Sequence, residues 1–316
     1  MGITKLPQYD YDIIIIGGGP AGITAGIYAT RKKIKTLLVA KDLWGQIGKT
    51  ERVDNWPGDP GISGMDLMKK LENHLKVFLS EMVIGGAVES AQKSPNGFLV
   101  RIQGGQEFSS RALIVAVGRK EKDLGVPGEK ELLGKGVSYC SICEAPFFQD
   151  KKVGVIGGGN AALGSALDAA KYANEVILLV NSENLQADEI LQEVVNGNPK
   201  IKILFNKKVK EILGGERVEG VVCEDAHGSE TSRLSLDGIF VSIGSEPVLD
   251  FMSDLIEKNE RGEIKVVPRT CASSCPGLYA AGDVNDGQWK QFVIAAGDGA
   301  RATLAVYEYL RDIKRV

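Results

Sequence analysis

Two cysteines separated by Ser-Ile, Cys140 and Cys143, are the side chains of this chain best suited to chemistry. A C-x-x-C pair can form a reversible disulfide, but the same spacing serves half of a zinc site or a turn with two incidental thiols. Here the pair lies between two glycine-rich segments, residues 17–22 and 157–162. This order predicts a dithiol that exchanges electrons with a bound nucleotide cofactor.

The first glycine-rich segment is flanked by the elements of a βαβ unit. Residues 12–16 form an apolar run typical of a strand buried on both faces, and we expect a helix from about Ala21 to Arg31 and a strand over 35–40. In such a unit the glycines allow a tight turn, close helix–strand packing and approach of the backbone to a pyrophosphate at the helix N-terminus. We therefore predict a dinucleotide site here.

The same unit recurs in the second half of the chain, with a strand at 152–156, the second glycine segment, a helix to about Tyr172 and a strand at 175–180. Further buried strands are expected at 111–118 and 236–244, the segment 277–283 completes the sheet of the first domain, and a final helix is expected from about 291 to 311. The predicted fold class is α/β, with two Rossmann-like, three-layer nucleotide-binding domains. The second, 119–248, is inserted into the first, 1–118 and 249–316.

Composition excludes several classes of protein. The chain has 38 Lys and Arg against 41 Asp and Glu, which gives no electrostatic footprint for nucleic acid or an anionic membrane. Its apolar runs are shorter than the roughly 18 residues that a membrane span needs, and we see no signal peptide. Five cysteines in 316 residues do not make a disulfide-stapled secreted scaffold. We therefore expect a cytoplasmic protein.

The whole chain resembles the low-molecular-weight thioredoxin reductases and the flavoprotein half of alkyl hydroperoxide reductases. Besides the glycine segments and the cysteine pair, the resemblance is carried in order by Trp44-Gly-Gln46, Asp54-Asn-Trp-Pro-Gly58, Ala281-Gly-Asp283 and Lys290-Gln291.

This resemblance implies a first domain that binds FAD, with glycines at the pyrophosphate, Asp283 on the ribityl chain, and Gln46, Asn55 and Gln291 near the adenine end or the flavin ring. Outside this set of motifs, Asp283 and Asn55 would be ordinary turn residues. The expected cofactor-binding residues are Gly17, Gly19, Pro20, Ala21, Gly22, Gln46, Asn55, Gly118, Gly282, Asp283, Lys290 and Gln291.

The resemblance also assigns roles around the cysteine pair. Cys143 would face the flavin, and Cys140 would be the interchange thiol that attacks the disulfide of a thioredoxin-like protein. Glu144 stands where the family usually has Asp; it is either the acid that protonates a departing thiolate or a solvated side chain with no role. The family further implies a homodimer, with residues 56–78 as part of its surface, and a rotation of the domains about the crossings near Gly118 and Gly244.

The second nucleotide fold departs from the family pattern. NADPH-dependent relatives carry a His-Arg-Arg…Arg cluster after the strand, whereas residues 180–186 read Val-Asn-Ser-Glu-Asn-Leu-Gln. Each charge-assisted contact to the 2′-phosphate that is missing lowers the binding free energy of NADPH by about 1.5–3 kcal/mol. NADH-dependent relatives place an acid where Val180 stands, and Glu183 could replace it only if the loop folded back. The family's paired glutamates are replaced by Gly164-Ser165.

We therefore interpret Gly157, Gly159, Asn160 and Ala162 as a vestigial nucleotide site, which makes NAD(P)H binding doubtful. Reduced ferredoxin or a deazaflavin is the favoured electron donor, and NADH or NADPH is the alternative. A flavin redox sensor, a docking protein or an oxidase belongs to another class, and the cysteine pair with its neighbouring acid argues against each.

The remaining cysteines and histidines have ordinary explanations. Cys271 and Cys275 could complete a four-thiolate site with the pair, but a C-x3-C spacing is wrong for a zinc ribbon, so we expect no metal and no disulfide between them. Cys223 lies in an apolar run and is expected in the core. The two histidines, His74 and His227, are expected at the surface.

Overall fold

The computed structural model describes residues 9–49, 53, 55–79, 81–95, 97–225, 228 and 231–313. The chain forms two compact units. Unit 1 comprises Met1–Lys120 and Glu246–Val316, and unit 2 comprises Glu121–Ser245. Unit 2 is thus one continuous insertion between the two segments of unit 1.

In chain order the elements are β1 (Tyr11–Ile16), α1 (Pro20–Arg31), β2 (Thr36–Ala40), α2 (Gly64–Phe78), β3 (Met82–Ile84), β4 (Val88–Ser94), β5 (Gly97–Ile102), β6 (Glu107–Val115), β7 (Lys120–Glu121), β8 (Val137–Ser138), α3 (Ser141–Glu144), β9 (Lys152–Ile156), α4 (Asn160–Ala170), β10 (Glu175–Leu179), α5 (Glu189–Asn196), β11 (Ile201–Leu204), β12 (Lys207–Gly214), β13 (Val218–Asp225), β14 (Thr231–Ser235), β15 (Gly238–Val241), β16 (Ser245–Glu246), β17 (Leu278–Ala280) and α6 (Phe292–Ile313). Three short 3-10 helices add Ile47–Lys49, Ala145–Phe148 and Asp250–Leu255.

Unit 1 is built on a seven-stranded sheet with the order β3-β2-β1-β6-β5-β4, in which β17 also pairs with β6. Strands β1, β2, β3, β6 and β17 are parallel, while β4 and β5 form an antiparallel hairpin that extends the sheet from β6. Successive side chains of a strand point to opposite faces. Accordingly Ile13 and Ile15 pack into one apolar core, which includes residues of α1, α2 and α6, and Ile14 and Ile16 pack into the other.

Local sequence explains where the unit 1 helices begin. Pro20 occupies the first position of α1, where its fixed φ and missing N–H carry no penalty. At α2, the Ser63 hydroxyl accepts a hydrogen bond from the Asp66 N–H at 3.1 Å, which caps the helix.

Unit 2 contains a five-stranded parallel sheet with the order β11-β10-β9-β15-β8 and a separate antiparallel sheet, β12-β13-β14. One face of the parallel sheet packs on α4, whose buried Ala162, Leu163 and Ala166 join the same core as Val153 and Val155. Its other face shares a core with the antiparallel sheet. The predicted α/β class with two Rossmann-like folds is confirmed; the antiparallel sheet is an addition that we do not predict from sequence.

The two crossings between the units, β7 and β16, pair as a two-stranded ribbon. Each follows a glycine with positive φ, Gly118 at +66° and Gly244 at +101°. Within the described ranges, no helix is long and apolar enough to cross a membrane.

Candidate functional site

The glycine turn of unit 1 leaves room where a phosphate would lie. A Cβ on Gly17 would be 2.1 Å from the Ala116 carbonyl oxygen, and one on Gly22 would be 1.8 Å from that of Gly17, so neither position tolerates a side chain. A Cβ on Gly19, the N-cap of α1, would meet no atom within 4 Å. The open space at a helix N-terminus suits a pyrophosphate, because the first N–H groups and the helix dipole favour an anion.

The helix α6 and the loops after β2 and β17 pack closely against this turn. A Cβ on Gly299 of α6 would be 2.1 Å from the carbonyl oxygen of Ala21, and one on Gly282 would be 3.0 Å from the Ala21 Cβ. Gly45, with φ +55°, would place a Cβ 3.3 Å from the Cα of Gly19. The loops after β2 and β17 therefore border the turn at the carboxyl end of the sheet, where ligands of this fold bind.

Two pairs of predicted cofactor residues come together in unit 1. The Gln46 Nε2 donates to the carbonyl oxygen of Arg119 at 2.6 Å, which places Gln46 beside Gly118. The Asn55 Nδ2 donates to Gln291 Oε1 at 2.9 Å, although 236 positions separate the two residues. Asp54, which belongs to the same motif as Asn55, lies outside the described residues.

Asp283 is the predicted cofactor residue with the most informative environment. It follows Gly282 in the turn after β17, is half-buried, and makes no hydrogen bond with any residue that the structure describes. Burial raises the pKa of this carboxyl, and the positive charges of Lys290 and Arg119 oppose that shift. A partly buried carboxylate without a protein donor is suited to accept hydrogen bonds from a ligand's hydroxyl groups.

A buried network holds this turn in place. Asp298, on α6, accepts hydrogen bonds from Asn285 Nδ2 at 2.9 Å and from the Gly282 N–H at 3.3 Å, and it pairs with Arg301 at 3.0 Å. Asn285 Nδ2 also donates to the Ala280 carbonyl oxygen at 3.2 Å. Asp298 is thus engaged by the protein itself, in contrast to Asp283.

The structure adds an acid that our sequence reasoning missed. Asp42 lies after β2, and its Oδ1 accepts hydrogen bonds from the N–H groups of Trp44 and Gly45, both at 3.0 Å. Its carbonyl oxygen is 2.0 Å from the position of a Cβ on Gly18. An acid about twenty residues after the last fingerprint glycine is the group that binds the ribose in dinucleotide folds, so the spacing itself was a usable signal.

The second glycine turn, in unit 2, has the same geometry. A Cβ on Gly157 would be 2.2 Å from the Ser242 carbonyl oxygen, whereas one on Gly159 would meet no atom within 4 Å. Ala162 is fully buried below the turn. The Asn160 side chain is engaged, since its Nδ2 donates to Asp188 Oδ2 at 3.0 Å and its Oδ1 accepts from the Asp188 N–H at 2.7 Å.

The loop after β10 lies against this turn without a cation. Val180 is fully buried and would be 2.9 Å from a Cβ on Gly158, and the Gln186 N–H donates to the Gly158 carbonyl oxygen at 2.7 Å. Lys207, whose N–H donates to the Val180 carbonyl oxygen, has its ammonium group paired with Asp225 at 3.1 Å. Residues 181–186 contain no Lys or Arg that could take a 2′-phosphate.

Where the family has paired glutamates, α4 carries small residues. A Cβ on Gly164 would meet no atom within 4 Å, and the Ser165 and Ser242 hydroxyls share a hydrogen bond of 3.0 Å.

Cys140 and Cys143 form a disulfide in unit 2. Cys140 is the N-cap of α3, and its Sγ accepts a hydrogen bond from the Cys143 N–H at 3.3 Å. The Ser141 hydroxyl donates to Asp168 Oδ2 at 3.0 Å, which ties the disulfide turn to α4, the helix that begins at the second glycine turn. Cys143 is exposed, while Cys140 and Glu144, the last residue of α3, are partly exposed. The predicted C-x-x-C disulfide is confirmed.

The other three thiols are free. Burial raises the pKa of Cys223 to about 11 and that of Cys271 to about 12, so both are protonated and weakly nucleophilic at neutral pH. Cys223 lies in the core as predicted, and Cys275 is half-buried. The described residues contain no group of three or more His, Cys, Asp or Glu side chains placed to bind a metal. His74 is exposed on α2, and His227 lies outside the described residues.

The chain is similar to known flavoenzymes over almost its whole length. Residues 11–299 match the model of the pyridine nucleotide-disulphide oxidoreductase family. An alkyl hydroperoxide reductase component of Staphylococcus aureus strain NCTC 8325 is 36% identical over 300 residues, 95% of this chain. The chain spans 59% of that relative's length.

Two solved structures have the same fold along the chain. Thioredoxin reductase of Lactococcus lactis superposes with a TM-score of 0.91 at 32% identity, covering 96% of this chain and 100% of its own. Thioredoxin reductase of T. acidophilum gives 0.88 at 32% identity, with 97% and 100% covered. The chain therefore belongs to the pyridine nucleotide-disulphide oxidoreductase family and has the fold of its thioredoxin reductase-like flavoproteins with a C-x-x-C disulfide.

Proposed function

We propose that this protein is a disulfide reductase that passes electrons from a donor, through FAD in unit 1 and the Cys140–Cys143 disulfide in unit 2, to a thioredoxin-like protein. The observation that carries the proposal is this disulfide, which is tied through Ser141 and Asp168 to the helix of the second Rossmann-like fold. Gly118 and Gly244, with positive φ at the crossings, are the proposed hinges.

The residues of unit 1 fit FAD. The open space at Gly19 suits its pyrophosphate, and the carboxylate of Asp283 is placed to accept hydrogen bonds from its ribityl hydroxyls. Asp42 offers an acceptor for the ribose, and the Asn55–Gln291 pair offers amide groups to the cofactor's rings. Bound FAD would supply the electron transfer between the donor and the disulfide of unit 2.

The cysteines would transfer two electrons by thiol–disulfide exchange. In the reduced protein the Cys140 thiolate attacks a sulfur of the acceptor disulfide, which forms a mixed disulfide and releases one acceptor thiolate. The Cys143 thiolate then attacks Cys140 Sγ, which restores the Cys140–Cys143 disulfide and releases the second acceptor thiolate. We propose Glu144 as the group that donates a proton to a departing thiolate.

An exposed aromatic side chain favours a protein as the acceptor. Phe147 lies four positions after Cys143 and is 79% exposed. We propose that a protein partner covers this apolar ring, which lies on the 3-10 helix that directly follows the disulfide helix α3, whereas a small thiol would leave it in water.

The donor is proposed to be a reduced ferredoxin or a deazaflavin rather than NADPH. The loop against the second glycine turn has no basic residue, and Lys207 nearby is already paired with Asp225. The absence of two or three charge-assisted contacts, each about 1.5–3 kcal/mol, removes at least about 100-fold in affinity for a 2′-phosphate.

NADH is the second candidate, because unit 2 retains an acid beside an open glycine turn. Asp188 lies 3.0 Å from Asn160 at the N-terminus of α4, and Gly159 leaves space for a pyrophosphate. Dinucleotide folds bind the free 2′-OH of NADH with an acid at the strand end, where Val180 stands here, and Asp188 is the acid that we propose in its place. If NADH is the donor, Asp188→Asn should raise its KM about tenfold.

Anaerobic reduction of the flavin absorbance band tests the donor. Separate samples with a thioredoxin disulfide receive NADPH, NADH, enzymatically reduced ferredoxin or a reduced deazaflavin. We expect rapid bleaching and thiol formation only with a donor that is not a nicotinamide. Bleaching by micromolar NADPH would refute the donor assignment, and bleaching without thiol formation by any donor would favour a redox sensor or an oxidase.

We also propose that the protein is a homodimer formed through unit 1. The end of α2 exposes Val77 at 72% and Phe78 at 41%, which is apolar area that a second copy would cover. Light scattering should give twice the 33.9 kDa chain mass; a monomer at micromolar concentration would contradict this.

A further inference from the structure

One buried carboxylate in unit 1 holds two cations from distant segments of the chain. Glu263 is 3% exposed, and its Oε1 contacts Arg119 Nη1 at 2.7 Å and Lys290 Nζ at 3.3 Å. Its second oxygen, Oε2, accepts a hydrogen bond from Asn259 Nδ2 at 2.7 Å. The cluster therefore joins the segment before the first crossing to the segment before α6.

The buried carboxyl of Glu263 is stabilised in its ionised form by its neighbours. Desolvation opposes ionisation of Glu263, but the Asn259 hydrogen bond and the charges of Lys290 and Arg119 hold the pKa of this carboxyl below its ordinary value. Ion pairs this deeply buried add little net stability over an apolar packing, because desolvating the charges costs about as much as their attraction returns. Stability alone is therefore a weak reason for a carboxylate with two cations at this place.

The position of the two cations suggests another reason. The carbonyl oxygen of Arg119 accepts the hydrogen bond of Gln46, and Lys290 precedes Gln291, which is bonded to Asn55. Both cations act on the carboxyl of Asp283, which has no hydrogen-bond partner among the described residues. The cluster thus lies next to residues assigned above to the FAD site, and Lys290 Nζ also donates to the carbonyl oxygen of Asn285.

We infer that Glu263 is a positioning residue that holds Arg119 and Lys290 against the FAD site, where their charges favour the anionic cofactor and the negative charge that it gains on reduction. The inference rests on the proposed FAD site of unit 1. A cation fixed beside a bound flavin stabilises its reduced form relative to its oxidised form. Glu263 itself does not touch the cofactor; it acts through Lys290 and Arg119.

The test is a double-mutant cycle with Glu263→Gln and Lys290→Gln on deflavinated protein. Glu263→Gln keeps the size of the side chain and removes its charge together with one of its two oxygen acceptors. We expect each single variant to weaken FAD binding about tenfold and to shift the flavin midpoint potential to a more negative value. Because Glu263 acts through Arg119 as well as Lys290, the two substitutions should share part of their effect, and the double variant should weaken FAD binding by less than the product of the two single changes.

Two further variants separate positioning from folding. Glu260→Gln is the same substitution three positions away, at an exposed side chain, and should leave FAD affinity and potential at wild-type values. Glu263→Asp keeps the charge and should restore part of the affinity. Lys290→Gln carries the test if Glu263→Gln does not fold, since Lys290 is partly exposed.

Two results would overturn the inference while leaving the FAD site intact: Glu263→Gln with wild-type affinity and potential, or fully additive effects in the cycle. Wild-type protein that fails to bind FAD would overturn the proposed function, and this inference with it.

Discussion

Replacing Asp283 with Asn should separate cofactor binding from fold stability. The substitution keeps the size of the side chain and removes its charge. Since Asp283 bonds to none of the described residues, no hydrogen bond seen in the structure is lost. Its pKa is raised by burial, so ionised Asp283 costs the apoprotein stability at pH values above that pKa, and the cost disappears as the pH falls through it. At neutral pH apo Asp283→Asn should therefore be at least as stable as the wild type.

The effect on FAD binding should be large and opposite. A hydrogen bond from a ligand hydroxyl to a carboxylate contributes about 1.5–3 kcal/mol, which corresponds to a roughly 10- to 150-fold change in Kd. Fluorescence titration of deflavinated protein with FAD measures this change, and thermal unfolding of the same samples measures stability.

Asp298→Asn is the matched control, because Asp298 is a nearby acid whose carboxylate is bonded to other groups of the protein. It accepts hydrogen bonds from Asn285 and from the Gly282 N–H and pairs with Arg301. This variant should lose about 1–3 kcal/mol of unfolding free energy in the apoprotein. The reasoning is refuted if Asp283→Asn lowers the Tm as much as Asp298→Asn does, or if it leaves the Kd for FAD unchanged.

Three further predictions address the disulfide, the donor site and pH. Cys140→Ser should abolish reduction of a thioredoxin disulfide while FAD stays bound, whereas Cys223→Ser, at a buried thiol, should keep the activity; an active Cys140→Ser would remove that residue from the mechanism. The double variant Asn181→Arg, Ser182→Arg should improve flavin reduction by NADPH relative to NADH at least about tenfold, because each arginine can add a charge-assisted contact to the 2′-phosphate; an unchanged ratio in stopped-flow reduction would place the discrimination elsewhere. FAD retention should fall on acidification at a pH above the ordinary Asp value of 3.8, because the raised pKa of Asp283 makes it lose its acceptor charge earlier; ultrafiltration of the holoprotein should show this step in the wild type and not in Asp283→Asn.

Local sequence patterns are sufficient to predict the two Rossmann-like folds. The strand predicted at 152–156 is β9, and the apolar run near 12–16 is β1, because a strand buried on both faces must be apolar throughout. The glycine turns can likewise be predicted from sequence: Gly17, Gly22 and Gly157 leave no room for a Cβ, whereas Gly19 and Gly159 leave open space at a helix N-terminus.

The start of β6 and the antiparallel sheet of unit 2 are not predicted correctly from sequence, because their residue patterns are less distinctive. The strand that we expect from 111 begins at Glu107, because its polar first half pairs with the hairpin strand β5 rather than with the buried parallel strands. The sheet β12-β13-β14 was missed because exposed charged residues interrupt its strands and weaken their apolar alternation.

The sequence by itself determined the α/β class, the two glycine turns, the C-x-x-C pair and the absence of basic residues after β10, since each depends on residues close together in the chain. Only the tertiary structure decided which distant side chains meet: Asn55 with Gln291, and Glu263 with Arg119 and Lys290. It also decided that Asp283 has no hydrogen-bond donor among the described residues, while Asp298 accepts hydrogen bonds from Asn285 and Gly282. Those outcomes depend on how the strands and α6 pack around a common sheet, and no local pattern of residues encodes such long-range contacts.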